Sequence, residues 1–500
     1  MIKSLYIFCL LLAACCVLPT SLVAQKNKAK EPERKIVFNV KDTKDDKMFL
    51  VLHFKDKFLL KDSAFNNGKG AFVFEGDNRL DEGMYSLVSG RKARLLDFMM
   101  DGSQKFTYSL DTAGTVNNYT IIGSPENAEM LRFQQKTIDA KKQMREWGEK
   151  RKELEEKEMQ DSADYYLEKM RNIDAEMEQF ITDLIDANPT FLFSKLQKSF
   201  REIEIPEPPI LEDGTIDSSF RAIYYRTHYW DNFDLADRRF LFIPSFDPKL
   251  NNYIKKVLWF QPVDTINRYL DLMFDKAYPD SLMYRNLIEV TSREFETSKA
   301  IGHDAIFVHI AKNNHLAGKC TWLDEDIIKK YKMAIEDKDP LLIGKKTVEM
   351  VLPDTSQTDT FSQWISSYKM PKKYRILWFY DQNCGTCKKE ALEMKAVYDS
   401  LENIGKRNFD VYAVNRTDDI EGWKKYIETN GYTWINVGGA KGNVDWKDAF
   451  RITSNPQFYI INQEHIIILN KNIPKDMIPV FLEDYERVEA EKERLIKRKQ

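Results

Sequence analysis

Short runs of apolar and alternating residues dominate the first quarter of the chain. Residues 48–54, 58–60, 71–74, 84–88, 95–100, 105–110 and 119–122 are rich in the β-branched and aromatic side chains that suit a pleated surface. Turn formers such as Asn66-Asn67-Gly68, Gly76-Asp77-Asn78 and Asp101-Gly102-Ser103 separate them. This spacing predicts a small all-β domain over residues 36–123. At Ser124-Pro125-Glu126 the period changes, with serine suited to an N-cap and proline to the first helical position, so helix is expected almost to Asn188-Pro189. Between residues 141 and 160 the apolar positions thin to Met144, Trp147, Leu154 and Met159 among charges of both signs, as in a solvated helix. From Asp161 they tighten through Tyr166, Met170, Ile173, Met177, Phe180 and Leu184, which predicts a helical hairpin packed on its neighbour within residues 124–204.

Pro206-Glu207-Pro208-Pro209 cannot donate backbone hydrogen bonds regularly and marks a domain edge. A further helical domain is expected over residues 205–336. Its aromatic cluster, Phe220, Tyr224, Tyr225, His228, Tyr229, Trp230 and Phe233, has the spacing of a core, with a groove for an extended client as the alternative. His303, His309 and His315 invite a metal reading, but six-residue steps at about 100 degrees per residue put them on three sides of one helix. They are read as packing or surface residues, and Cys320 as a buried free thiol.

Near residue 375 a buried strand, Arg375-Ile376-Leu377-Trp378-Phe379-Tyr380, runs through Asp381-Gln382-Asn383 into Cys384-Gly385-Thr386-Cys387 and then a helix. The first helical turn has free amides and a favourable dipole, so Cys384 is expected to be the accessible, reactive thiol and Cys387 the buried one. A C-x-x-C also serves zinc, yet no second such pair and no H-x-x-x-H completes four ligands. No metal and no diffusible cofactor are therefore expected.

The N-terminus changes the weight of this pair. Lys3 precedes an apolar run over residues 5–17, and small residues lead to Ala24, which reads as a secretory signal peptide over residues 1–24. The alternative is a lipobox ending at Cys15, which would make the protein a lipid-anchored one; both readings export it to the periplasm or cell envelope. Beyond the targeting segment only Cys320, Cys384 and Cys387 remain, too few for a disulfide framework. An exported chain that keeps two of three cysteines at C-x-x-C spacing uses them for chemistry. Composition adds an exclusion: 75 basic and 78 acidic residues, net charge -3, give no field to attract nucleic acid.

Residues 341–485 resemble the thioredoxin-fold domain of the TlpA/ResA-like thiol-disulfide oxidoreductases. The resemblance is carried by the entry Leu342-Ile343-Gly344-Lys345, the strand leading to Cys384-Gly385-Thr386-Cys387, Lys388-Lys389-Glu390 after it, and the strand over residues 410–414. It continues in Asn455-Pro456 with the strand that follows, and in Glu464-His465-Ile466-Ile467. It implies that Cys384 and Cys387 exchange disulfides with envelope proteins, that Glu390 tunes the pair, and that Asn455 and a cis Pro456, with Gly385 and Thr386, face the client. An ordinary solvated glutamate is the other reading of Glu390. Three positions depart from the pattern: Trp378 replaces a buried acid, Leu392 a helix proline, and Asn455 a threonine. A peroxiredoxin is disfavoured because Asp381 stands where its Thr-x-x-Cys needs threonine. The N-terminal β and helical regions resemble the accessory regions of exported Gram-negative members. The whole is thus expected to be a multidomain α+β chain: an all-β domain, a helical region, an α/β thioredoxin fold over residues 341–485 and a charged helical tail over 486–500. Its expected partners are thiol- or disulfide-containing envelope proteins and a membrane electron donor or acceptor, with reduction of clients favoured over oxidation. The alternative is a non-enzymatic envelope binding module with a structural or redox-sensing disulfide.

Overall fold

A computed structural model describes residues 32–111, 116–355, 363–438 and 442–499. The expected signal peptide, its Ala24 end and Cys15 lie outside the described residues. The chain divides into two compact units, residues 1–51 with 60–145 and residues 52–59 with 146–500.

The first unit is built on β1 (Arg34–Lys41), β2 (Lys47–Phe54), β3 (Lys57–Phe65), β4 (Ala71–Gly76), β5 (Gly83–Ser89), β6 (Arg94–Met100), β7 (Lys105–Asp111) and β8 (Thr120–Ile122). They form two four-stranded sheets, ordered β4-β1-β7-β8 and β3-β2-β5-β6. Phe38 of one sheet meets Phe98 of the other at 5.3 Å between ring centroids, so the inward positions of both build one core. Strand β1 is absent from the sequence reading, which starts its strands at residue 48. Its inward set is only Ile36, Phe38 and Val40 between charged ends, and its partners β4 and β7 are distant in sequence. Helix α1 (Pro125–Glu156) starts where the composition changes, with Ser124 Oγ accepting from the Asn127 amide at 3.3 Å.

Helix α2 (Gln160–Ala187) follows a turn in which Glu158 takes a positive φ of 57°. Seven helices succeed it: α3 (Leu192–Ser199), α4 (Phe220–His228), α5 (Phe246–Asn252), α6 (Val263–Ala277), α7 (Ser281–Glu296), α8 (His303–Ile310) and α9 (Glu325–Lys338). The aromatic cluster divides here. Tyr229, Trp230 and Phe233 are buried in the helical core, whereas α4, which carries Phe220, Tyr224, Tyr225 and His228, buries no residue fully. The three histidines go separate ways: His303 meets Ser298 and the Trp259 carbonyl, His309 pairs with Asp271, and His315 lies tilted against Tyr331. Burial lowers the proton affinity of His303 and His315.

The C-terminal domain holds β9 (Val351–Pro353), β10 (Trp364–Ser366), β11 (Tyr374–Tyr380), α10 (Gly385–Asn403), β12 (Phe409–Asn415), α11 (Ile420–Asn430), β13 (Ile435–Gly438), α12 (Trp446–Ala449), β14 (Gln457–Ile461), β15 (Ile467–Leu469) and α13 (Ile478–Lys499). Its five-stranded sheet runs β13-β12-β11-β14-β15, with β11 parallel to β12 and antiparallel to β14. Every residue of β11 and of β12 is buried, as a sheet covered on both faces requires. The entry segment pairs with the last hairpin, Gly344 N donating to Ile467 O and Thr347 N to His465 O. The charged tail is no separate element: α13 crosses residue 486 unbroken. Among the described residues no helix is long and apolar enough to cross a membrane.

Candidate functional site

Strand β11 ends in the middle of the sheet, and the chain must turn there to start α10. The turn is held from both sides. Asp381 Oδ1 accepts from the Asn383 amide at 2.7 Å, and the Asp381 carbonyl accepts from the Cys384 amide at 3.1 Å. Buried Gln382 is fixed by Asn415 at the end of β12, whose Nδ2 donates to Gln382 Oε1 at 2.7 Å. Cys384 then caps α10 in an extended conformation, and its Sγ accepts from the Cys387 amide at 3.3 Å. That is the position where an oxygen usually serves; here a sulfur takes the helix's free N–H and its dipole.

The two thiols are free and unequal. Cys384 is half-buried, whereas Cys387 is fully buried among Trp378, Tyr380, Ala391 and Phe458. Burial raises the Cys387 thiol above its ordinary value, and Cys384 and the Glu390 charge add to the effect. Gly385 and Thr386 are exposed, and a Cβ at Gly385 would meet nothing within 4 Å, so the approach to Cys384 is open. Because β14 pairs with β11, the loop before it arrives beside the cysteines. The Asn455–Pro456 peptide bond is cis, and Cys384 Sγ lies 4.0 Å from the Asn455 carbonyl oxygen. An exposed thiol, an adjacent acceptor carbonyl and a buried second thiol one turn inside the helix can form, orient and resolve a mixed disulfide.

Glu390 is not a solvated helix residue. Its Oε1 accepts from Asn472 Nδ2 at 2.7 Å and its Oε2 lies 2.9 Å from Lys475 Nζ, with only 15% of the Glu390 side chain exposed. Trp378 is buried and stacks on Tyr380 at 4.6 Å, so apolar packing occupies the place of the acid. Leu392 is exposed. Cys320 is buried in the helical region, and burial pushes its thiol up to about 12. Sequence reasoning missed Lys475, Asn472, Gln382 and Asn415. All four lie in or beside loops whose polar residues carry no periodic signal, and only the fold brings Lys475, Asn472 and Asn415 to this end of α10.

Residues 343–469 match the AhpC/TSA family, and residues 186–337 match a domain of unknown function, DUF5106, a stretch that runs across the Pro206–Pro209 segment. No curated protein matches the chain. Among solved structures, a thioredoxin-like protein from Bacteroides caccae is 17% identical over 56% of this chain and 99% of its own, with a TM-score of 0.42. A domain described as a possible thiol-disulfide isomerase from Cytophaga hutchinsonii is 30% identical over 30% of this chain and 97% of its own, with a TM-score of 0.26. The thioredoxin domain of a thiol-disulfide oxidoreductase from Bacteroides vulgatus is 22% identical over 29% and 96%, with a TM-score of 0.25. The C-terminal domain has the thioredoxin fold and the character of a thiol-disulfide oxidoreductase.

Proposed function

We propose that this thioredoxin-fold oxidoreductase works outside the cytoplasm, in the periplasm or cell envelope, and reduces disulfides of envelope proteins through Cys384 and Cys387. The observation that carries the reading is the asymmetry of the pair: Cys384 sits at the open N-terminus of α10, and Cys387 is fully buried behind it. Cys384 attacks one sulfur of a client disulfide; the client's S–S bond breaks, its other sulfur leaves with the electron pair, and a Cys384–client disulfide remains. Cys387 then gives up its proton, its sulfur bonds to Cys384 Sγ, and the second client sulfur leaves as a thiolate. The client gains two electrons and the pair is oxidised by two, so a membrane electron donor must re-reduce it. Asn455, Pro456, Gly385 and Thr386 surround the open side of Cys384 and would face the client's extended backbone. Glu390, three residues beyond Cys387 on α10, would receive the proton that Cys387 loses.

The signal-peptide pattern and the cysteine-poor composition support the location. The test of the chemistry uses reduced full-length protein and insulin. Native protein should reduce it catalytically and Cys384→Ser should not; equal behaviour of the two overturns the reading. Equilibration with glutathione gives a second check, since a potential below about −300 mV would make the pair a structural disulfide.

A further inference from the structure

We infer that Lys475 is a positioning residue for the resolving step: its ammonium holds the Glu390 carboxylate in place beside Cys387. This inference rests on the exchange reading above and deepens it.

Lys475 belongs to the loop between β15 and α13, far in sequence from the cysteines, yet it is buried, with 1% of its side chain exposed. A buried ammonium is costly unless its three donors find partners. Here they do. Nζ lies 2.9 Å from Glu390 Oε2, donates to Asn472 Oδ1 at 2.5 Å and to the Ile473 carbonyl at 3.2 Å. Asn472 closes the ring by donating to Glu390 Oε1. The ammonium also lies 4.8 Å from the ring centroid of Phe458, two residues after Pro456. One charged group therefore joins α10, the β15–α13 loop and the strand that leaves the cis-proline loop. Glu390 Oε2 has the Lys475 ammonium at 2.9 Å as its partner, and its second lone pair remains for an incoming proton.

The titratable groups that bear on the Cys387 thiol are Cys384 and Glu390 from its own helix, Tyr380 from β11 and Tyr426 from α11. In the resolving step the Cys387 proton goes to Glu390, the Cys387 sulfur bonds to Cys384 Sγ, and the client sulfur leaves with the electrons of the broken bond. Transfer needs the carboxylate held in one orientation, and Lys475 and Asn472 fix both of its oxygens. Without Lys475 one oxygen of Glu390 loses its partner, and the step slows.

The experiment uses the reduced full-length protein and an aromatic disulfide whose released thiolate is coloured. Two thiolates leave in sequence: the first reports attack by Cys384, the second the resolving step. The second phase is followed across the acid and neutral range for native protein, Lys475→Met, Lys475→Arg, Glu390→Gln and the double variant Lys475→Met with Glu390→Gln. Lys475→Met should keep the first phase and slow the second roughly tenfold. Lys475→Arg should restore most of it. In the Glu390→Gln background Lys475→Met should add nothing. An unchanged second phase in Lys475→Met, or equal slowing with and without Glu390, overturns the inference. If Lys475→Met does not fold, Glu390→Gln alone decides: a native second-phase profile leaves Lys475 nothing to act through and sinks it. Absence of the first phase in native protein would instead overturn the exchange reading.

Discussion

Cys387→Ser should trap clients as mixed disulfides, and the gain in lifetime follows from the geometry. In the native protein Cys387 sits one helical turn from Cys384, with its amide 3.3 Å from Cys384 Sγ. Well-oriented intramolecular reactions reach effective concentrations of about 10⁵ M or more. Burial keeps the Cys387 thiol protonated, and a discount of roughly a thousandfold for scarce thiolate still leaves an effective concentration on the order of 10² M. In Cys387→Ser only an external thiol can resolve the complex, so in about 1 mM glutathione the mixed disulfide should live on the order of 10⁵-fold longer. The assay mixes the variant with an oxidised client, quenches with acid and counts the covalent complex on non-reducing gels over time. Cys384→Ser should give no complex, because Cys387 and Cys320 are both buried. Complex formation by Cys384→Ser and none by Cys387→Ser would reverse the roles and refute the argument from burial.

Arg375 is buried near the start of β11 and donates to the carbonyls of Ser366, Ser367 and Lys369 at 3.1, 3.0 and 2.8 Å. Arg375→Met should cost about 3–5 kcal/mol, read by urea unfolding together with amide exchange of residues 374–380, and a loss under about 1 kcal/mol would show that the three carbonyls find other partners. Cys320→Ser should leave the exchange rate native. Because burial holds the Cys320 thiol up at about 12, native Cys320 should stay protonated and resist alkylation at neutral pH, with labelling that rises only as pH climbs toward that value. Rapid labelling of Cys320 at neutral pH in the folded protein would contradict its burial.

The chain's local signals reached a long way. Alternation and turn residues revealed most of the β domain, Ser124-Pro125 marked the start of α1, and the passage from an all-apolar strand into Cys384-Gly385-Thr386-Cys387 fixed both the strand-to-helix turn and the order of the two thiols. These features share one property: period and capping act between residues that are near in sequence. What the tertiary structure alone decided depends on distant pairs. Parallel pairing with β7 makes a central strand of β1, whose own pattern is weak. Packing separates Trp230 and Phe233 in the core from the half-buried face of α4. Lys475 meets Glu390 only because β15 and the start of α13 return to α10, across 84 intervening positions that leave no trace in either residue's neighbourhood. Desolvation, which turns a lysine and a glutamate into a coupled pair, is a property of the packed interior and cannot be read from spacing.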